Sequence, residues 1–183
     1  MRIWSIALLL AGLSIPGAAT TLQKLDLGEM ARQSTMIVRA KVVGSTAEVR
    51  GQDIYTFYRL EVIEGWKAAG RNEVRVAVPG GVANGLRQSV AGAPSLATGS
   101  EYVMFLWTSR SGLTQLIGLS QGLFDVRRDA KGEAVVTRPV ADEVMLDKNG
   151  HVTGNQAIVM PLAELRTKVA RLLSGEKSGP DGK

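Results

Sequence analysis

Six consecutive apolar residues, Tyr102 to Trp107, constrain the fold of this chain more than any other feature. A strand with one face in water alternates apolar and polar side chains, whereas a strand covered on both faces needs apolar side chains at every position. The run therefore predicts a β-strand that lies near the middle of a sheet or barrel and is buried on both faces.

Two earlier segments have apolar side chains at every second position, which is the period of half-buried strands. The inward-facing residues are predicted to be Val38, Ala40 and Val42 in the first segment, from Met36, and Tyr58, Leu60 and Val62 in the second, Ile54 to Ile63. Further predicted strands are Glu73–Val78, Leu113–Leu119, Leu123–Arg128 and Glu133–Arg138, and a last hairpin is predicted around Asn149-Gly150. A loop rich in Gly, Ala and Ser is predicted from Gly80 to about Ser100.

A helix is predicted on each side of this β-rich region. Asp26 and Glu29 have the spacing of a capping box, and the helix they begin should end near Ser34. The second helix follows Pro161, which we place at its first position, and Gly175 should end it. Its apolar face is Leu162, Leu165, Val169 and Leu172. The fold class is thus mainly β: an OB-like barrel or a β-sandwich with a short N-terminal helix and an amphipathic C-terminal helix.

The first nineteen residues have the pattern of a cleavable export signal. Arg2 precedes the apolar run Ile3 to Leu13, and Gly17 and Ala19 supply the small residues of a peptidase site, so that Thr20 is the expected mature N-terminus. The run is shorter than the roughly 20 residues that span a bilayer, although an internal signal-anchor is the alternative. We expect an exported protein, periplasmic or secreted, with one domain over 20–175 and a disordered tail over 176–183.

Charge and composition limit the partners and cofactors. The net charge of +5 at pH 7 favours an exported protein or an acidic envelope component as partner, and no nucleic acid is expected outside the cytoplasm. With one histidine and no cysteine, no metal and no cofactor are predicted. Asp147 and Asn149 could suggest calcium, and Gly80 to Gly85 has the glycine spacing of a phosphate loop, but a hairpin turn and a plain connection explain these residues better.

One motif resembles that of a catalytic serine. The segment Gly118 to Gly122 reads G-L-S-Q-G, the pattern of a nucleophile elbow, and His151 is the only histidine that could serve as the base. An elbow turns from a strand into a helix, whereas the residues after Gly122 alternate like a strand. The motif is therefore interpreted as a bend between strands, and no enzymatic activity is predicted.

Several short segments resemble netrin-type modules, the group that includes tissue inhibitors of metalloproteinases. They are Ser34 to Val43, Asp53-Ile54-Tyr55, Trp66-Lys67 and Gly99-Ser100-Glu101-Tyr102. The resemblance implies an OB-like barrel and a metallopeptidase inhibitor. Inhibitors of that family present a disulfide-linked N-terminal cysteine to the zinc of the target, where this chain has Thr20. The chain also resembles uncharacterised bacterial exported proteins through Gly80-Gly81 and Gln121-Gly122-Leu123-Phe124.

The favoured functional hypothesis is an exported, non-enzymatic binding or interaction module. Tyr55, Phe57 and Arg59 form the predicted binding face, because aromatic and cationic side chains on a barrel face can stack on ligands. Gly80 and Gly81, at the start of the long loop, are the other predicted binding residues. The alternatives are an inhibitor of an exported metallopeptidase, acting through Thr20, and a serine hydrolase that uses Ser120 and His151.

Overall fold

The structure is a computed structural model that describes residues 21–68, 70–140, 144–154 and 156–175. In chain order the elements are β1 (Thr21–Gln23), α1 (Leu27–Gln33), β2 (Met36–Arg50), β3 (Asp53–Lys67), β4 (Glu73–Pro79), β5 (Gly81–Ala83), β6 (Leu86–Gln88), β7 (Glu101–Thr108), β8 (Thr114–Leu116), β9 (Leu123–Arg128), β10 (Ala134–Arg138), β11 (Val144–Leu146), β12 (Val152–Thr153), β13 (Ile158–Pro161) and α2 (Leu162–Ser174). The mainly β prediction is confirmed.

Five strands close into a ring, which corresponds to the barrel form of the prediction. The long strands β2 and β3 form an antiparallel hairpin, β4 pairs with β3, and β7 pairs with the first half of β2. The short strand β8 completes the ring, antiparallel to β7 and parallel to β4 through the single pair Ala77 and Gln115. Register shifts at three places along β2 let these two long strands coil around the barrel.

The interior of the barrel is filled by side chains from every strand of the ring. It contains the predicted inward-facing residues of β2 and β3, and every other residue of β7. The cluster is Val38, Ala40, Val42, Tyr58, Leu60, Val74, Val76, Val78, Leu96, Tyr102, Met104, Leu106 and Leu116, with Val62 packed against it.

A second core lies on the outside of the barrel wall. The sheet continues from β7 through β9 and β10 to β13, and both helices pack on this side. The cluster is Met30, Ala31, Ile37, Val103, Phe105, Ile117, Phe124, Val136, Leu162, Leu165 and Val169. Because Val103 and Phe105 point into this core while their neighbours point into the barrel, β7 is buried on both faces, as predicted.

The loop predicted from Gly80 to Ser100 has two ordered parts. Its first part is the small hairpin β5–β6. Its second part covers one end of the barrel, where Leu96 is buried and the hydroxyls of Tyr58 and Tyr102 accept hydrogen bonds from the backbone N–H groups of Leu96 and Ala97. The sequence predicts a plain loop here because the segment is rich in Gly, Ala and Ser. The tyrosines that anchor it belong to distant strands and give no local signal.

Three further features differ from the predictions: the exposure of one residue, the length of one strand and the start of one helix. Trp107, expected to be buried with the rest of its run, is 45 % exposed because it lies where β7 leaves the second core. The strand predicted over Leu113–Leu119 is only three residues long, since the chain turns at Ile117 to Gly122. Pro161 precedes α2 as its N-cap and ends the edge strand β13, which the sequence did not indicate.

Both predicted ends of α1 and the predicted C-terminal end of α2 are confirmed. Asp26 Oδ1 accepts a 2.7 Å hydrogen bond from the Glu29 N–H, and the Glu29 carboxylate accepts one of 3.0 Å from the Asp26 N–H. Helix α1 ends at Ser34, and Gly175 ends α2 in the left-handed conformation. The predicted signal over 1–19 and the tail over 176–183 lie outside the described residues. Among the residues that are described, no helix is long and apolar enough to cross a membrane.

Gly122 should not tolerate a side chain. A Cβ at this position would lie 2.9 Å from the carbonyl oxygens of Phe105 and Ile117, and both oxygens belong to backbone that is hydrogen-bonded in the same turn. We expect Gly122→Ala to lower the free energy of unfolding by about 1–3 kcal/mol, the usual cost of overpacking. Gly154→Ala, where a Cβ meets nothing within 4 Å, is the control for chemical denaturation. Equal stability of the two variants would contradict the close packing of this turn.

The pKa of Glu29 should depend on one lysine. Lys148, on the β11–β12 turn, donates to Glu29 at 2.8 Å, and this bond, followed by the one from the Asp26 N–H, holds the pKa of Glu29 below its ordinary value of 4.5. The lowered pKa stabilises the fold above the unfolded-state pKa, and this contribution is lost as the pH falls through the folded-state value. We expect Lys148→Met to raise the pKa of Glu29 in a ¹³C carboxyl titration. Lys168→Met, which removes a cation paired with Glu164, should leave it unchanged.

Candidate binding site

The predicted binding face is present on the outside of the barrel, but its central ring is covered. The rings of Tyr55 and Phe57 are 6.3 Å apart, and Phe57 is only 5 % exposed. The guanidinium of Arg75 lies 3.9 Å from the centroid of the Phe57 ring, and that of Arg50 lies 5.3 Å away on the same ring. An ion pair with Glu48 holds Arg75 in this position. Phe57 therefore packs under two arginines and does not offer a free face for stacking.

Arg59 is the exposed member of this predicted face. It lines a cleft of about 710 Å³ together with Arg71 and Arg75, and it faces Arg75 directly across the β3–β4 pair. Glu48 and Glu73 also line this cleft, and Glu48 already pairs with Arg75. The acidic partner expected from the net charge stays a prediction.

Gly80 and Gly81 do not join that face. Thr56 Oγ1 donates to the Gly80 carbonyl at 2.8 Å, and a Cβ on Gly81 would clash with Thr56 Oγ1. Side chains alternate along a strand, so Thr56 points to the face opposite Tyr55 and Phe57. The two glycines, both at positive φ, let the chain cross closely over β3 on its way to the β5–β6 hairpin. They have a structural reason to be glycine.

The G-x-S-x-G segment is a turn between strands. It links β8 to β9, without the helix that follows a nucleophile elbow. Ser120 Oγ is buried and has no hydrogen-bond partner among the described residues, while His151 is exposed on the β11–β12 turn beside Asp147. Since a nucleophilic serine needs hydrogen-bond contact with its base, the structure does not bring this pair together as a catalytic unit.

Asp147 serves the β11–β12 turn. Its Oδ1 accepts hydrogen bonds from the N–H groups of Asn149 and His151 at 2.8 and 2.9 Å, and the bond from His151 is the first cause of a lowered pKa for this carboxyl. This is the hairpin chemistry expected from Asn149-Gly150. In the described part of the chain, no group of three His, Cys, Asp or Glu side chains is placed to hold a metal ion.

A groove lies at the seam of the barrel. It has a volume of about 500 Å³ and lies where β4 and β8 meet through only one residue pair. We call it the seam groove. Its lining residues are Leu25, Gln33, Ala77, Val78, Pro79, Pro94, Trp107, Gln115, Leu116, Ile117, Gly118 and Leu119. None of them is charged, and binding sites of this size are commonly apolar with a few polar groups.

Trp107 is the exposed aromatic residue of the seam groove. With 45 % of its surface in water it is far more accessible than the other apolar residues of β7. An indole ring offers a large apolar surface and one N–H donor, which makes tryptophan a common anchor at interfaces. The amides of Gln33 and Gln115 add donors and acceptors to this otherwise apolar wall.

The backbone at one end of the seam groove is unusual. Gly118 and Leu119 both have positive φ, of 60° and 62°. This conformation is easy for glycine but costs about 1–3 kcal/mol for a bulky residue, and such strain occurs often at binding sites. The strain places Leu119 in the wall of the groove and directs the following residues back towards β7.

The sequence pattern did not reveal this site. Trp107 belongs to an apolar run that predicts complete burial, and Leu116 and Leu119 fell within a predicted strand. The one signal for this site in the sequence is Gly118-Leu119 beside Gln121-Gly122, whose glycines predict only a bend between strands. The groove is formed by residues from six separate parts of the chain, and their proximity depends on the closure of the barrel.

Comparison of the sequence with models of protein families and with curated proteins finds no match. The inhibitor hypothesis rests on Thr20, which lies outside the described residues, and it stays a prediction. The choice among functions therefore depends on the geometry of the surfaces described above.

Phe57 should contribute to stability, since its ring is covered on the barrel surface. We expect Phe57→Ala to lower the free energy of unfolding by about 3 kcal/mol, because the change removes a buried ring and the support of two guanidinium groups. Arg59→Ala, at an exposed position on the same strand, should change it by less than about 0.5 kcal/mol. Thermal and denaturant melts provide the measurement. An unchanged melt for Phe57→Ala would restore this ring as a candidate stacking surface.

Proposed function

We propose that this protein is an exported, non-enzymatic binding module that holds an uncharged, apolar segment of a protein partner in the seam groove. The observation that carries the proposal is the half-exposed Trp107 in a groove without any charged lining residue. The export pattern of residues 1–19 supplies the proposed compartment.

The chemistry of the groove selects the kind of partner. Charged side chains would lose water on entering and would find no counterion among the lining residues, so a charged segment is disfavoured. An aliphatic or aromatic side chain gains by burying apolar surface against Trp107, Leu116 and Leu119, at roughly 25 cal/mol per Å². The amides of Gln33 and Gln115 can pair with the peptide groups on either side of such an anchor.

A groove between elements also suits a protein segment sterically. The seam is open to solvent, because β8 is only three residues long and leaves the end of β4, Val78 and Pro79, without a neighbouring strand on that side. The rest of the barrel is rigid around it, since the adjacent residues of β7 are completely buried. A preformed site of this kind loses little conformational entropy on binding.

Trp107→Ala should remove most of the affinity. Truncation of an anchoring tryptophan at an interface commonly costs about 2 kcal/mol or more, which corresponds to roughly thirtyfold in the dissociation constant. A photo-reactive benzoylphenylalanine at Gln33, on the rim of the groove, would capture the partner from the exported fraction. The crosslink should disappear when Trp107→Ala is added, and titration of the identified partner then measures the loss.

The matched controls use an apolar residue outside the groove. Val152, on β12, is 77 % exposed. We expect no specific crosslink from the photo-reactive residue at this position and no change in affinity for Val152→Ala. A crosslink at Gln33 that persists without Trp107, or one of equal strength from position 152, would defeat the proposal.

A further inference from the structure

A second cavity lies on the other side of the barrel wall, among the elements of the outer core. It has a volume of about 330 Å³ and is lined by residues of the segment before α1 and of α1, β9, β10, β13 and α2. Most of its wall is apolar, formed by Leu25, Leu27, Met30, Phe124, Ile158, Met160 and Leu165. The charged lining residues are Lys24, Asp26, Arg138 and Lys168. We call it the Arg138 cavity.

Arg138 is a partly buried cation that forms no ion pair with a carboxylate of the described residues. Its Nη1 donates to the Gln121 carbonyl at 2.8 Å and contacts Met30 Sδ at 4.0 Å, and its guanidinium lies 5.2 Å from the centroid of the Phe124 ring. Both bonds use Nη1, and no carboxylate of the described residues forms an ion pair with this side chain. The Nε–H and Nη2–H donors form one edge of the guanidinium and have no partner among the described residues.

Arg39 of the same chain shows what this edge does when a carboxylate is present. Its Nε and Nη2 donate to Glu101 Oε2 at 3.2 and 2.7 Å. Two parallel N–H donors match the geometry of a carboxylate, which is why arginine holds carboxylates so firmly. In Arg138 the corresponding pair of donors is available at the wall of a cavity.

The other charged residues of the cavity are already engaged. Asp26 accepts the Glu29 N–H at the start of α1, Lys168 pairs with Glu164, and Lys24 donates to the Gly154 carbonyl. Asp26 therefore serves as a helix cap. Lys24 and Arg138 form no ion pair with a carboxylate of the described residues, and of these two cations Lys24 is exposed whereas Arg138 is half-buried. Burial also lowers the pKa of Arg138 below its ordinary value, as expected for a cation that has lost contact with water.

We propose that the Arg138 cavity binds a small amphiphilic monocarboxylate, whose head is held by Nε and Nη2 of Arg138 and whose aliphatic or aromatic body lies against the apolar wall. A carboxylate supplies a counterion, and the apolar body gains from burial against Phe124, Met160 and Leu165. The volume, near the lower end of the range for ligand pockets, limits the ligand to a small molecule. The cavity shares only Leu25 with the lining of the seam groove, and its test uses a small carboxylate instead of a protein partner, so either proposal can fail alone.

Octanoate is the probe, with octanol as the neutral analogue and acetate as the isolated head group. We expect calorimetric titration to show octanoate binding at least about tenfold more tightly than either, because a charged hydrogen-bonded pair and an apolar contact both contribute. Arg138→Met should weaken octanoate binding by about tenfold or more and leave octanol unchanged. Octanoate should also shift the Nε–H resonance of Arg138 in the NMR spectrum of the unchanged protein.

Two variants complete the test. Ile158→Trp fills the cavity while it keeps every contact of Arg138, so it should abolish octanoate binding in a protein that still melts cooperatively. Arg110→Met removes the same charge from the exposed turn after β7 and should leave octanoate binding unchanged. Absence of octanoate binding, equal binding of octanol, an unmoved Arg138 resonance or full binding by Ile158→Trp would each overturn the proposal.

Discussion

The burial of β7 on both faces is the constraint on which the rest of this structure depends. Tyr102, Met104 and Leu106 fill the barrel, while Val103 and Phe105 fill the outer core, and all five are at most 4 % exposed. A fully buried large side chain contributes about 1.5–3 kcal/mol to stability, so removing the side chains of this strand from either core would greatly lower the free energy of unfolding. The barrel and the layer of helices are therefore stabilised by the same six-residue stretch, without any disulfide in a chain that contains no cysteine.

The turn at Gln121 connects the two layers and also connects the two proposed sites. The buried side-chain amide of Gln121 accepts a hydrogen bond from the Leu25 N–H at 2.8 Å and donates one to the Gln23 carbonyl at 2.9 Å. The backbone carbonyl of Gln121 accepts a hydrogen bond from Arg138. A buried polar side chain is stable only when its donors and acceptors are satisfied, and this glutamine meets that condition. It fixes the segment before α1, together with the short β1–β11 pairing and the hydrogen bonds of Lys24 to Leu146 and Gly154.

The sequence predicted what depends on local pattern and missed what depends on distant contacts. The two-faced strand, the capping box of Asp26 and the hairpin at Asn149-Gly150 follow from rules that act over a few residues, and all three are observed. The exposure of Trp107, the cover over Phe57 and the place of Arg138 at the wall of a cavity depend on which strands meet when the barrel closes. A period-two pattern assigns a side chain to a face of the sheet. It does not say that arginines from β2 and β4 will cover that face at Phe57.

The two proposed sites differ in charge but share one wall residue. Leu25 lines both the seam groove and the Arg138 cavity, and its backbone is held by Gln121. A ligand that displaces the Leu25 side chain in one site must change the shape of the other, and by linkage the effect on affinity is the same in both directions. Because Gln121 keeps the backbone of Leu25 fixed, the size of this coupling is set by how far the Leu25 side chain moves. A small carboxylate that fits beside Leu25 would leave the seam groove unchanged, whereas a bulkier one would alter it, so ligand size would determine whether the two sites act independently.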